Sequence, residues 1–210
     1  MEIRFDHLVV AARALDEGVA WVESRLGVPM GAGGRHGTMG THNRLLSLGP
    51  GRFLEVIAID PEGVAPHRPR WFDLDSPAMR ARLGRGPALV TWVARTDAIE
   101  PAIGAMPGAP DILDLARGEF RWRIGVPRDG HLAQAGTLPT LIQWLTHHPA
   151  EVLADSGCRL ENLVLRHPQA AATLRALRAA GLDALDSIEA HGGGPAIEAR
   201  IRTPRGIVEL

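Results

Sequence analysis

The 210-residue chain has no lysine, no tyrosine and a single cysteine, Cys158. Each absence removes a class of chemistry. Without lysine there is no Schiff-base amine and no ammonium for a phosphate loop; without tyrosine no phenol serves as acid or base. One cysteine excludes a disulfide framework and a cysteine-built zinc centre within one chain. No apolar run approaches the roughly 20 residues that a membrane helix needs. The opening stretch MEIRFDHLVV has too short an apolar run, and the wrong flanks, for a signal peptide. The expectation is a cytoplasmic protein that touches no membrane. The 23 basic residues, all arginine, balance 24 acidic ones to a net charge of −1 with no basic run, which argues against nucleic acid as a partner. The glycine-rich GAGGRHGTMG, Gly31 to Gly40, lacks the Gly-Lys-Ser/Thr ending of a nucleotide loop and leads into a strand rather than a helix.

What is present is ordinary globular material, 45% apolar and 22% charged. The most informative stretch runs from His36 to Asp60. Asn43 to Leu48 is a short apolar-rich run, Gly49-Pro50-Gly51 a turn, and Phe53 to Ile59 a second apolar run, together a β-hairpin. Glu55 sits in the second arm and shares a face with Phe53 and Ile57, because strand side chains alternate. A carboxylate there lies at a wet rim, where Arg52 is its natural partner, or meets a cation.

Phe5 to Ala12 reads as a strand apolar on both faces and carries His7. Asp16 is placed to cap a helix through Val19, Val22 and Leu26, which Gly27 ends. Residues 1–60 therefore spell β-α-β-β-β. A proline-rich linker, 61–86, follows, with Trp71 and Phe72 pinning it to the core. The same order returns over 87–148: a strand at Leu89 to Ala94, a helix capped by Asp97, strands over Asp111 to Phe120 and Arg121 to Val126, then Thr137 to Trp144, which Pro139 demotes towards a sheet edge. Aligning LIQW with FLEV sets Gln143 opposite Glu55, while Leu89 falls opposite His7. A third βαβββ-like unit occupies 158–210. Gly27 to Glu55 and Gly181 to Glu209 are both 28 residues apart, and Pro50 and Pro204 share the offset of 154. The fold class is α+β: repeated βαβββ modules forming a curved mixed sheet with helices on its outer face.

The run DHLVV, the helix closing in RLGV, GGRH followed by GTHNRLLSLG and FLEVIAID, and the later PALVTWVART and TLPTLIQWLTHHP resemble the glyoxalase-like branch of the vicinal oxygen chelate superfamily. The resemblance covers roughly residues 4–148. It implies two modules curling into a half-barrel whose inward side chains hold a divalent metal (Zn, Fe, Mn, Ni or Co), with a small-molecule substrate chelating through adjacent oxygens. Carried over, His7 and Glu55 match the first module's ligands and Gln143 stands in the second, a neutral donor where an acid is usual. A pairing of the first and third modules would instead add Glu209. Superfamily members include lyases, isomerases, dioxygenases and proteins that only bind a ligand.

The expected catalytic residues are Glu55 and His42, with substrate contacts from Asn43, Trp92, His131 and Trp144. His42 and His36 offer imidazoles that titrate near neutrality, against the plainer reading of solvated loop histidines. Asn43 either turns its amide into the cleft or satisfies a bulged backbone. His131 falls near the counterpart of Asn43 across the cleft. Trp92, Trp122 and Trp144 wall an apolar pocket or simply fill the core. Adjacent residues on an extended chain point apart, so of His147 and His148 at most one reaches the site. A metal-dependent lyase, isomerase or dioxygenase is one expectation, a non-enzymatic small-molecule binder another, and a structural protomer whose third unit makes a homodimer contact a third.

Overall fold

The computed structural model describes residues 1–106, 108–179, 181 and 188–210. Strand β1 (Ile3–Ala11) is buried along almost its whole length, as a run apolar on both faces requires. It is followed by helix α1 (Leu15–Leu26) and strands β2 (Gly33–His36), β3 (Thr41–Ser47) and β4 (Phe53–Ile59). β4 returns to lie parallel to β1, and β3 and β2 add antiparallel outside it. A short helix, α2 (Pro77–Leu83), interrupts the linker, its Met79 amide capped by Ser76. The second unit repeats the pattern with β5 (Ala88–Thr96), α3 (Ile99–Gly104), β6 (Asp111–Arg117), β7 (Phe120–Val126) and β8 (Thr140–Trp144). Here too the last strand lies parallel to the first. Antiparallel pairing of β1 with β5 fuses the two units into one eight-stranded sheet, ordered β2-β3-β4-β1-β5-β8-β7-β6. The sheet curls until its outer strands approach one another. Arg117 at the end of β6 hydrogen-bonds Asn43 on β3, and a Cβ placed on Gly34 of β2 would lie 2.7 Å from the Arg117 side chain.

Alternation sorts the side chains. Leu8, Val10, Leu54, Val56 and Leu141 face outward under α1 and α3; Val9, Ile57, Val93, Ile124 and Ile142 face the concave side. Trp71 and Phe72, both buried, pin the linker against that concave side.

The third unit keeps the order of elements: β9 (Arg159–Arg166), α4 (Ala170–Ala179), β10 (Ile188–His191), β11 (Ala196–Thr203) and β12 (Gly206–Glu209). Its strands pair differently. β9 lies between β10 and β11 in a separate four-stranded sheet, β10-β9-β11-β12, whereas in the first two units the opening strand pairs with the last. The shared 28-residue spacing therefore does not carry Glu209 to the place of Glu55. Glu209 pairs with Arg200 on an exposed hairpin, and the cleft is built by the first two units. Leu163, Leu174 and Ile201 of the third unit join the core on the outer face of the large sheet.

Local expectations are corrected in three places. Asp16 and Asp97 are not caps: the cap positions are Ala14 and Ala98, and Asp97 accepts the Glu2 amide instead. Pro139 does not push β8 to an edge. It falls one residue before the strand, where no ladder donor is needed, so β8 sits between β5 and β7.

Gly18, buried in the middle of α1, sets how closely that helix lies on β4. A Cβ there would come within 2.5 Å of Val56 Cγ1 and 2.8 Å of Ala12 Cβ. Gly18→Ala gains about 1 kcal/mol of helix propensity but overpacks this contact at a cost of about 1–3 kcal/mol. Urea denaturation should show a net loss of stability. Adding Val56→Ala should give a double variant less destabilised than the sum of the two single changes.

Candidate functional site

The concave face carries a line of ionisable groups that begins with an irregularity in β1. The pairing of β1 with β5 skips one residue between Phe5 and His7. Asp6 is the extra residue of a β-bulge, and the bulge brings together two side chains that strict alternation would separate. Asp6 Oδ1 lies 2.6 Å from His7 Nδ1. On the far side of the ring, His7 Nε2 lies 3.6 Å from Glu55 Oε2. His7 stacks on Phe53, its neighbour across the parallel ladder, with ring centroids 4.3 Å apart.

Asp6 is completely buried and fully partnered. His148 Nδ1 accepts the Ala150 amide at 3.1 Å, so its Nε2 carries the proton it donates to Asp6 Oδ2 at 2.9 Å. Trp144 Nε1 donates to the same oxygen at 3.0 Å, and Arg95 Nη1 stands 3.6 Å from it. Burial alone would raise the Asp6 pKa. The hydrogen bonds from His148 and His7 outweigh it and hold the carboxyl well below the usual carboxylate range. For His7, burial disfavours the cation, but Asp6 and Glu55 on either side overcome that and push it up to about 9. Glu55 is held down to about 2: burial opposes ionisation, while His7, His36 and the Asn43 amide favour it. At neutral pH the line is carboxylate, imidazolium, carboxylate.

A second layer orients Glu55. Asn43 Nδ2 donates to Glu55 Oε1 at 2.6 Å, and its Oδ1 accepts from Arg117 Nη1 at 2.6 Å and from the Gly34 amide at 2.9 Å. His36 Nε2 faces two donors, Asn43 Nδ2 at 3.4 Å and Arg117 Nη1 at 3.5 Å, so it is the acceptor and Nδ1 donates to Thr41 Oγ1 at 3.1 Å. That tautomer is neutral. Burial first, then the positive charges of Arg117 and His7, push the His36 pKa down to about 4 against the pull of Glu55. Trp71, Trp122, Trp144 and Ile142 complete a cavity of about 40 Å³.

His7, Glu55, Asn43 and Trp144 of the expected residues thus meet in the cleft. Four others do not. His42 precedes Asn43 by one residue and so faces the opposite side of β3. Gln143 lies between Ile142 and Trp144, which face the cleft, so it turns outward and donates to the Asp97 carbonyl at 2.7 Å. Trp92 is core, stacked on Phe5 with its Nε1 on the Thr137 carbonyl. His131 lies in a neighbouring cavity, bonded to Asp73, not opposite Asn43. His148 reaches Asp6, while His147 packs on Phe120.

The donor set does not fit a resident divalent ion. The second unit lines the cleft with Arg117, Trp122, Ile124, Ile142 and Trp144, none of them a metal donor, and of the first unit's donors His7 and Glu55 face each other while His36 Nε2 faces the Asn43 amide and Arg117. Among the described residues no three His, Cys, Asp or Glu side chains are grouped to hold a metal. The expected His7, Glu55 and Gln143 triad is corrected on that ground.

The shifted groups predict a stability optimum. His7, raised from 6.5 to about 9, contributes fully below pH 6.5 and progressively less as pH rises through 9. His36, lowered from 6.5 to about 4, has the opposite sign: its folded state prefers the neutral ring, so stability falls as pH drops from 6.5 towards 4. Glu55 adds a loss between 4.5 and about 2. Melting temperature should therefore peak near pH 6.5, and His36→Gln should remove the decline between pH 6.5 and 4.5. A melting temperature that climbs steadily from pH 6.5 to 9 contradicts the charge assignment of His7.

Comparisons with known proteins bear on this arrangement. The glyoxalase-like domain family matches residues 5–181, from β1 through α4. A hypothetical protein from Staphylococcus aureus is 12% identical with a TM-score of 0.60, covering 92% of this chain and 87% of that one. A hypothetical protein from Bacillus halodurans is 15% identical (TM-score 0.43, covering 69% and 94%). Methylmalonyl-CoA epimerase from Mycobacterium tuberculosis is 17% identical (TM-score 0.40, covering 67% and 85%). No curated protein matches the sequence. With two βαβββ units fused into one curved sheet and a family match over most of its length, the chain belongs to the glyoxalase-like domain family.

Proposed function

We propose that the protein is a small-molecule enzyme that moves a proton at a carbon beside a carbonyl, using its own side chains rather than a chelated ion. The observation that carries this reading is the placement of His7 Nε2 and Glu55 Oε2 side by side, 3.6 Å apart, on one wall of the cleft. A carbonyl oxygen hydrogen-bonded to the His7 N–H sets the adjacent C–H against Glu55. The carboxylate takes the proton, the C–H electron pair moves onto oxygen, and the imidazolium stabilises the enolate formed. Reversal returns the proton to carbon. Glu55 is a weak base while His7 holds it ionised; a substrate oxygen that draws on the His7 proton weakens that hold and raises its basicity. Asp6 keeps the imidazole oriented throughout, and Arg117 adds positive charge beside an anionic head.

The superfamily's metal-dependent lyase, isomerase and dioxygenase reactions are the finer alternatives, and they need ligands beyond His7 and Glu55. A second reading, sequestration without turnover, is favoured by the low pKa of Glu55 itself. One experiment separates all three: deuterium exchange at C3 of 2-oxobutanoate in D2O, followed by proton NMR. Exchange that survives dialysis against EDTA and falls about 100-fold in Glu55→Gln supports the proposal. His7→Gln should cost about 10-fold or more. Exchange lost on chelation and restored by zinc overturns it in favour of a metal. Saturable binding with no exchange supports sequestration.

A further inference from the structure

The cleft at His7 and Glu55, about 40 Å³, is an order of magnitude smaller than the roughly 300–1,000 Å³ of small-molecule sites. A cavity of about 400 Å³ adjoins it and shares Trp71 and Phe72 as a wall. Strands β7 and β8 run from one into the other. On β7, Trp122 and Ile124 line the cleft, and Val126, two residues further on the same face, lines the large chamber. On β8, Trp144 and Ile142 line the cleft and Thr140 lines the chamber. From the reading that the reacting head sits at His7 and Glu55, we infer that the two cavities are one binding trough, and that its ligand is elongated, with an oxygen-bearing head in the cleft and an apolar or aromatic body in the large chamber.

The partition between them is built, not incidental. Phe72 and Asp73 are consecutive non-glycine residues in the left-handed region, with φ of 56° and 63°. Such backbone costs free energy and persists where neighbouring structure holds it in place. Here the Asp73 amide donates to the Gly130 carbonyl at 2.9 Å, and Asp73 Oδ1 meets His131 Nδ1 at 2.5 Å. Gly130 lies so close to the linker that a Cβ would come within 2.1 Å of the Arg70 carbonyl. This clamp sets the Trp71–Phe72 pair between the chambers. Trp71 Nε1, buried on that shared wall, has no hydrogen-bond partner in the protein, an arrangement that buried N–H groups rarely tolerate without an acceptor. The four steps of strand from Trp122 to Val126 give the trough a length of about 13 Å. Val126, Leu132, Leu138 and Pro139 give the large chamber an apolar side, and the exposed Arg128, Asp129 and His131 a polar one.

The test compares 2-oxobutanoate with 2-oxo-4-phenylbutanoate, which carry the same head, by titration calorimetry on the intact protein. Burying the phenyl ring should tighten binding roughly ten- to a hundredfold. Thr140→Phe, which fills the chamber from β8, should reduce that preference to below about twofold. In case that variant does not fold, the wild-type protein gives a second readout: the phenyl probe should shift the Val126 methyl NMR signals, which 2-oxobutanoate should leave unmoved, whereas the Trp71 indole N–H, on the shared wall, responds to either probe. Equal affinity for the two probes, no binding of the phenyl probe at millimolar concentration, an unchanged preference in Thr140→Phe, or Val126 signals that do not move each overturn the inference. Failure of the head assignment looks different: His7→Gln would bind both probes as the wild type does, while Thr140→Phe would still remove the preference.

Discussion

One row of charges organises this protein. Asp6, His7 and Glu55 are buried on the inside of a curled sheet, where a lone ion would be prohibitively costly, so each is tolerable only because its neighbour has the opposite sign. The row fixes which strands must lie together. His7 comes from the first strand and Glu55 from the last strand of the same unit, and their meeting needs the parallel β1–β4 ladder in register. Asp6 in turn ties that unit to the second, because its remaining partners, His148, Trp144 and Arg95, belong to β5, β8 and the chain just after them. The seam between the units and the electrostatics of the cleft are one set of contacts.

The same row explains why the site departs from what a resemblance to metal-binding relatives implies. Where a metal would supply positive charge between donors, the chain supplies an imidazolium. The second unit presents Ile124, Ile142 and two tryptophans to the cleft. Apolar walls of that kind lower the local dielectric and strengthen the charges that face them.

Much of this was legible in the sequence, and the failures have a common cause. The hairpin, the position of Glu55 on its inner face, and the return of β-α-β-β-β follow from alternation and turn chemistry. Gln143, His42 and Trp92 were misplaced because a strand has a period of two, so an alignment error of one residue exchanges inside for outside. Asp6 was missed for the converse reason: alternation sends it away from His7, and only the bulge, which depends on the facing strand, overrides that. Arg117 meets Asn43 across 74 residues of chain because the sheet closes on itself, a long-range event with no local signature. The third unit shows the limit of pattern reading. Its elements come in the expected order, yet strand order is set by which edges pair, and here β9 took the middle.

The closure at Arg117 also disposes of the two edges of the large sheet. An open eight-stranded sheet would offer two rows of unsatisfied amides and carbonyls to any passing strand. By curling until β2 and β6 confront each other, with an arginine strung between them, the sheet turns those rows inward. Among the described residues, the edges of the smaller sheet are β10 and β12, four residues each. A residue that steadies the cleft is in this way also the tie that joins the two ends of the sheet.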